Sequence, residues 1–227
     1  DPDPDDKELP AMFLGHFAVA LGAKKAAPDL NLGLTIAAAQ GLDLLWPMLV
    51  LAGVERVVVE PGNTVVSPLN FATYPYSHSL GMAALWGLAV GLLALGRGLG
   101  RRAGAVLGVL VLSHWFLDLL VHQPDMTLAG LPPKLGFGLW NHPGIEMPIE
   151  IGLLLGSAWL FARARQPRTG RLTILLAVLL AFQAFNWFAP QPTELDASQS
   201  ILGLVAYGLA ALVAWWAVRG DRRVQAT

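Results

Sequence analysis

The sequence predicts an all-α, polytopic membrane bundle of about seven transmembrane helices, with the N-terminus outside and the C-terminus inside. Three observations carry that prediction. The 227 residues are 55% hydrophobic and only 14% charged, with a mean hydropathy of +0.54, far more apolar than a soluble domain needs to be. Apolar stretches close to the roughly 20 residues needed to cross hydrocarbon recur between breaks of Pro, Gly and charge. The basic residues then fall unevenly on the two sides of the resulting topology.

Taken in chain order, residues 1–8 of the opening "DPDPDDKELP" read as a disordered acidic tail without the basic start of a signal peptide. Residues 9–227 read as a single transmembrane domain with approximate spans 9–23, 30–53, 76–96, 103–123, 145–162, 172–189 and 199–218. The first is short, and a re-entrant or tilted interfacial helix would carry the same pattern. Connections 54–75 and 124–144 hold Pro, Gly, Asn and Thr and read as long loops. Within the second, "LPPKLGFGLWNHPG" at 131–144 reads as a plain connector rather than a lid.

Seven spans place Lys24, Lys25, Arg97, Arg101, Arg102, Arg163, Arg165, Arg168, Arg171, Arg219, Arg222 and Arg223 on one side, against Lys7, Arg56 and Lys134 on the other. Because basic residues concentrate on the cytoplasmic side, this bias puts both long loops outside the cell. A net charge of −1 gives no reason to expect nucleic acid as a partner; the partner the composition implies is the lipid bilayer. With no cysteine in the chain, disulfides, thiolate metal sites and cysteine nucleophiles are excluded, so any metal must use His and carboxylate ligands.

Against this apolar background, "LSHWFLDLLVH" at 112–122 sets His114, Asp118 and His122 at successive four-residue steps. Each step turns a helix by about 40°, so the three side chains share one face, and that face must point into the bundle. At about 1.5 Å rise per residue, His114, Asp118 and Asp43 lie about 16, 22 and 20 Å from the cytoplasmic ends of their helices, with His16 near the same level. His78 falls at the outer mouth of its helix, and Glu150, Gln183 and Asn186 fall in outer halves. Any one of these residues is explained as readily by an interhelical hydrogen bond. Three His and two Asp at one depth instead form a ligand set for a divalent metal. His16, Asp43, His78, His114 and Asp118 are therefore the expected metal ligands, with zinc the ion expected first. His122 is expected to back the site or face solvent at its mouth.

Four stretches carry a resemblance: "GHF" at 15–17, "QGLDLLW" at 40–46, "YSHSL" at 76–80 and "LSHWFLD" at 112–118. In order and in membrane placement they resemble the motifs of the predicted membrane-bound metal-dependent hydrolases of bacterial inner membranes, over roughly residues 12–125. The resemblance implies a multi-pass protein of the bacterial inner (plasma) membrane with metal-assisted hydrolytic chemistry. This chain departs from the pattern at three ligand positions. Gly41 stands where the family has an Asp, Leu44 where it has a His, and Thr73 where it has a His.

The expected function is thus metal-dependent hydrolysis of a lipid or lipid-linked ester or phosphoester in the outer half of the bilayer. A divalent ion polarises such a group and acidifies water, and a carboxylate accepts the proton. Asp118 and Glu150 are the expected catalytic carboxylates, with Glu146 one turn from Glu150 as a further candidate. An alternative for those two glutamates is a water-exposed helix start, where acids favour the N-terminal dipole. Two other function classes stay open: a metal-binding membrane protein without catalysis, and a small ion- or proton-coupled transporter. Trp46, Trp140, Trp187, Trp215 and Trp216 read as interfacial belt residues, and "GLLALGRGLG" as helix packing followed by a turn.

Overall fold

The computed structural model describes residues 14–189 and 197–219. The acidic tail at 1–8, the start of the first expected span, Lys7, Arg222 and Arg223 lie outside them. The described chain is mainly helical: α1 (Leu14–Gly22), α2 (Leu32–Ala39), α3 (Gly41–Leu51), α4 (Pro75–His78), α5 (Leu80–Gly96), α6 (Arg101–Val121), α7 (Pro143–Arg165), α8 (Thr169–Phe188) and α9 (Ala197–Ala217). Of these, α6, α7, α8 and α9 are long and apolar enough to cross a membrane, as the helices of a membrane protein are. Large apolar side chains such as Leu88, Leu92, Val109, Leu160, Leu212 and Phe185 are exposed. In lipid such residues meet hydrocarbon rather than water, so they mark the bilayer-facing surface.

The stretch expected as one span at 30–53 is two helices, α2 and α3, meeting at a 53° bend. Gln40 sits at the break, with backbone angles outside the regular helical range. Pro47 lies inside α3 and lacks the N–H that would bond the carbonyl of Asp43 four residues earlier. Asp43 therefore occupies the first turn of a short helix that starts inside the protein. A second break falls at Ser79, which is extended and caps α5 by accepting from the Met82 N–H, so His78 ends the separate one-turn helix α4 rather than sitting within a span.

The helices α5 and α6 form an antiparallel hairpin whose turn uses Gly98 and Gly100 at φ +76° and +86°. A Cβ on Gly87 would stand 2.6 Å from the Gly108 carbonyl oxygen, and one on Gly104 would stand 2.7 Å from that of Gly91. Glycines facing glycines thus bring the two backbones into contact. Around this hairpin, α1 packs against α7, α2 against α6 and α9, and α3 and α8 against α9. Phe17, Leu21, Leu32, Ile36, Leu42 and Trp115 form the centre of the core.

The chain is mostly helical, as expected, with two small antiparallel sheets in the long connections expected as loops. The β-branched run at 56–59 forms β1 (Arg56–Val59), which pairs with β2 (Leu69–Thr73) in the register Val58↔Asn70 and Val59↔Leu69. The second ribbon joins β3 (Met126–Thr127) to β4 (Lys134–Leu135). Gln123 donates to Asn63, and Ser79 bridges to Thr127, so both connections meet at one end of the bundle. The opposite end gathers Lys24, Arg165 and Val218 around a second cavity.

Candidate metal centre

The five expected ligands come from four separate helices and meet at one point. His16 is supplied by α1, Asp43 by α3, His78 by α4, and His114 with Asp118 by α6. His114 Nε2 lies 3.0 Å from Asp118 Oδ2 and 3.5 Å from Asp43 Oδ1. His78 Nε2 lies 3.5 Å from Asp118 Oδ2 and 3.6 Å from Asp43 Oδ1, while His16 Nε2 lies 3.3 Å from Asp118 Oδ1. Two triads emerge, His16/His114/Asp118 and Asp43/His78/His114, each with its ligand atoms within 4.8 Å of one another.

Backbone and side-chain partners fix which nitrogen faces inward. His114 Nδ1 is 2.8 Å from the Ala39 carbonyl oxygen. A carbonyl only accepts, so Nδ1 carries the proton, and a neutral ring presents the Nε2 lone pair to the carboxylates. His78 is oriented through a relay. Its Nδ1 meets Ser77 Oγ at 2.7 Å, Ser77 donates to Glu55 at 2.6 Å, and Glu55 also accepts the N–H groups of Tyr76 and Ser77 at 2.8 Å each. A histidine whose far nitrogen is tied to a carbonyl or carboxylate network is the usual supporting arrangement of a metal ligand.

The donor set also has an electrostatic demand. His114 Nε2 and Asp118 Oδ2 are fully buried and make no hydrogen bond of acceptable geometry despite their proximity. Two lone pairs facing at 3.0 Å in a low-dielectric interior repel unless positive charge lies between them, that of a metal ion or of a proton on the ring. One divalent ion carries the charge that Asp43 and Asp118 together require, leaving three neutral imidazoles to complete its coordination. The residues therefore fit a divalent metal by chemistry as well as by position.

Beside this cluster is a cavity of about 50 Å³ lined by His16, Asp43, His78 and Asp118 below and by an aromatic wall above. Sequence reasoning missed most of that wall. Leu69 and Phe71 come from β2, Trp46 from α3, Trp140 from the turn after β4, and Tyr207 from α9, where its hydroxyl is within reach of Asp43. An isolated Tyr in the apolar run of α9 was the only available signal. Trp46 and Trp140 are thus cavity walls rather than belt residues, and Trp187 is also buried. Trp215 and Trp216 are exposed and stacked under Arg219 and Arg171. The stretch 131–144 covers the cavity through Trp140. It is pinned there because a Cβ on Gly136 would run into the Gln123 backbone, and because Gly138 donates to the His122 carbonyl at 2.7 Å.

Of the two positions expected for His122, backing the site or facing solvent at its mouth, its burial leaves the first. Its Nδ1 meets Asp125 at 3.1 Å, and its ring packs 4.3 Å from Trp140 and 4.9 Å from Phe71. Asp125 also accepts the Tyr74 hydroxyl at 2.6 Å. Burial, reinforced by the Asp125 carboxylate, pushes the Tyr74 phenol well above its ordinary value, so it stays a donor.

Glu146 and Glu150 do not line this cavity. Both are completely buried on the face of α7, correcting the alternative of a water-exposed helix start. Glu150 thus stands apart from the cavity that Asp118 lines. No family model, no curated protein and no solved structure matches the chain.

Proposed function

We propose that the protein is a seven-span, N-out/C-in membrane hydrolase whose His16, Asp43, His78, His114 and Asp118 share one divalent metal ion, zinc being the first candidate. The observation that carries this reading is the facing pair of buried, hydrogen-bond-orphaned lone pairs at His114 Nε2 and Asp118 Oδ2, surrounded by three further ligand groups. The ion would polarise an ester or phosphoryl oxygen and acidify a water. The chain's own residues then do the rest. Asp118 and Asp43 balance positive charge, the Ala39 carbonyl and the Glu55–Ser77 relay hold two imidazoles in place, and Trp46, Phe71 and Trp140 exclude bulk water. The cavity of about 50 Å³ leaves room for water beside the ligands.

The lipid or lipid-linked ester or phosphoester expected as substrate is supported by the cavity's position. It lies at the end of the bundle where both long connections meet, opposite the Lys24 and Arg165 end, and basic residues favour the cytoplasmic side. A bacterial plasma membrane and kinship with predicted membrane-bound metal-dependent hydrolases rest on the four motifs in the sequence. The test is to load purified protein with zinc in lipid nanodiscs and assay a panel of ester and phosphoester lipids. Turnover that stops with a chelator and returns with the ion supports the reading. Stoichiometric metal without turnover of any lipid would leave a metal-binding membrane protein in its place, and proton or ion flux without metal would leave a transporter.

A further inference from the structure

With Glu150 outside the cavity and both aspartates committed to the metal cluster, the proposed hydrolysis lacks a proton acceptor, and the imidazole on the cavity wall outside that cluster can supply it. His122 ends α6 one turn beyond Asp118, at the point where the chain leaves the helix. It resembles His114 and His78 in one respect. All three have Nδ1 engaged, by Asp125 at 3.1 Å, by the Ala39 carbonyl at 2.8 Å and by Ser77 at 2.7 Å respectively. It differs from them in what Nε2 meets. The His114 and His78 Nε2 atoms face carboxylate oxygens at 3.0–3.6 Å, whereas His122 lines the cavity and its Nε2 makes no hydrogen bond or ion pair among the described residues.

A carboxylate that accepts from one imidazole nitrogen fixes the tautomer and leaves the other nitrogen as a base, the arrangement used wherever a histidine moves protons. Asp125 is itself held, by the Tyr74 hydroxyl at 2.6 Å, and the imidazole is clamped between Trp140 and Phe71. A histidine serving only to fill space under Trp140 would not need an oriented carboxylate with a second donor behind it.

We infer that His122 is the proton-transfer residue of this site and Asp125 its positioning residue. The inference rests on the hydrolase reading. As the water oxygen bonds to the acyl carbon or phosphorus, its proton passes to His122 Nε2; as the ester C–O or P–O bond breaks, the same proton passes to the departing alkoxide. One water is consumed, an acid and an alcohol are released, and His122 returns to its starting state.

The experiment uses the full-length, zinc-loaded protein with 4-nitrophenyl butyrate and bis(4-nitrophenyl) phosphate as probes, comparing wild type with His122→Ala and Asp125→Asn. Metal content is measured on every sample. The expected result is unchanged metal content and a kcat at least about 100-fold lower in H122A, the usual scale of general acid–base catalysis, with partial recovery on adding free imidazole. Imidazole rescue separates a lost proton carrier from a lost packing contact. D125N should lower kcat with KM unchanged, and it keeps the inference testable if H122A fails to fold. Wild-type turnover with H122A and D125N both within about threefold of it would overturn the inference while leaving the hydrolase reading intact. Metal-bound wild type that turns over neither probe nor any lipid would overturn both. Diethyl pyrocarbonate, which acylates a free imidazole nitrogen, adds a readout independent of turnover. It should modify His122 in wild type, and failure to do so would remove the open Nε2 on which the inference stands.

Discussion

His114 with Asp118 on α6 and Glu146 with Glu150 on α7 are both buried pairs one helical turn apart, yet among the described residues only the first joins groups that could hold a metal. The difference lies in what the rest of the bundle brings to each. Around His114 and Asp118, three other helices deliver His16, Asp43 and His78, so opposite charge and lone pairs converge. Around the glutamates no basic side chain arrives among the described residues, and neither carboxylate makes a hydrogen bond of good geometry. Helical spacing decides which side chains share a face; the partners across the interface decide whether that face does chemistry.

Asp118→Asn breaks the comparison most severely. It removes the carboxylate that meets His16, His78 and His114 at once, and should lower metal affinity by more than about 100-fold, beyond the loss typical for a supporting residue. Competition with a metal-binding dye measures it. If D118N binds metal as wild type does, the α6 pair is no more a site than the α7 pair. Ser77→Ala tests the support behind the cluster rather than the cluster itself. Uncoupling His78 from Glu55 should cost about 10- to 100-fold in metal affinity, read by the same competition.

Gly108→Leu tests whether the helix hairpin sets the geometry. Even a Cβ there stands 2.7 Å from the Gly87 carbonyl oxygen, so α5 must move away from α6, separating His78 from His114. A loss of about 1–3 kcal/mol in stability is expected, with weakened metal binding alongside. Thermal unfolding with and without metal reads both. The smallest effect belongs to the other half of the comparison. Glu150→Gln should leave metal content unchanged and shift stability by less than about 1 kcal/mol, because replacing one of two neighbouring acids by its amide removes no ion pair. Loss of metal in E150Q would connect the two pairs and overturn the separation drawn between them.

The helices and the five converging side chains were legible in the sequence because both follow from local rules: apolar runs of span length, and ionisable groups too costly to place in lipid without a use. Leu14–Gly22 and Thr169–Phe188, for example, fall within or close to segments read from hydropathy alone. What could not be read depended on tertiary contact. The break at Gln40 divides a stretch whose overall hydropathy reads as one span, and the separation of His78 from its span turns on one capping serine. The aromatic wall draws Phe71 from a strand in a presumed loop, Trp140 from a presumed connector and Tyr207 from the last helix. Nothing in the spacing of these residues announces that they share a cavity. The burial of Glu146 and Glu150 was equally hidden, since a helix start rich in acid looks the same whether it faces water or α1.

The shared-metal claim is tested most directly by elemental analysis of the purified protein alongside His114→Ala, because His114 belongs to both triads. The account predicts about one divalent ion per wild-type chain and a substoichiometric amount in H114A, with the helical content of the two proteins the same by circular dichroism. Wild-type protein that stays free of metal after incubation with zinc, or an H114A protein that binds as much as wild type, would contradict it. His114 would then be a protonated imidazole bridging Asp43 and Asp118 rather than a metal ligand.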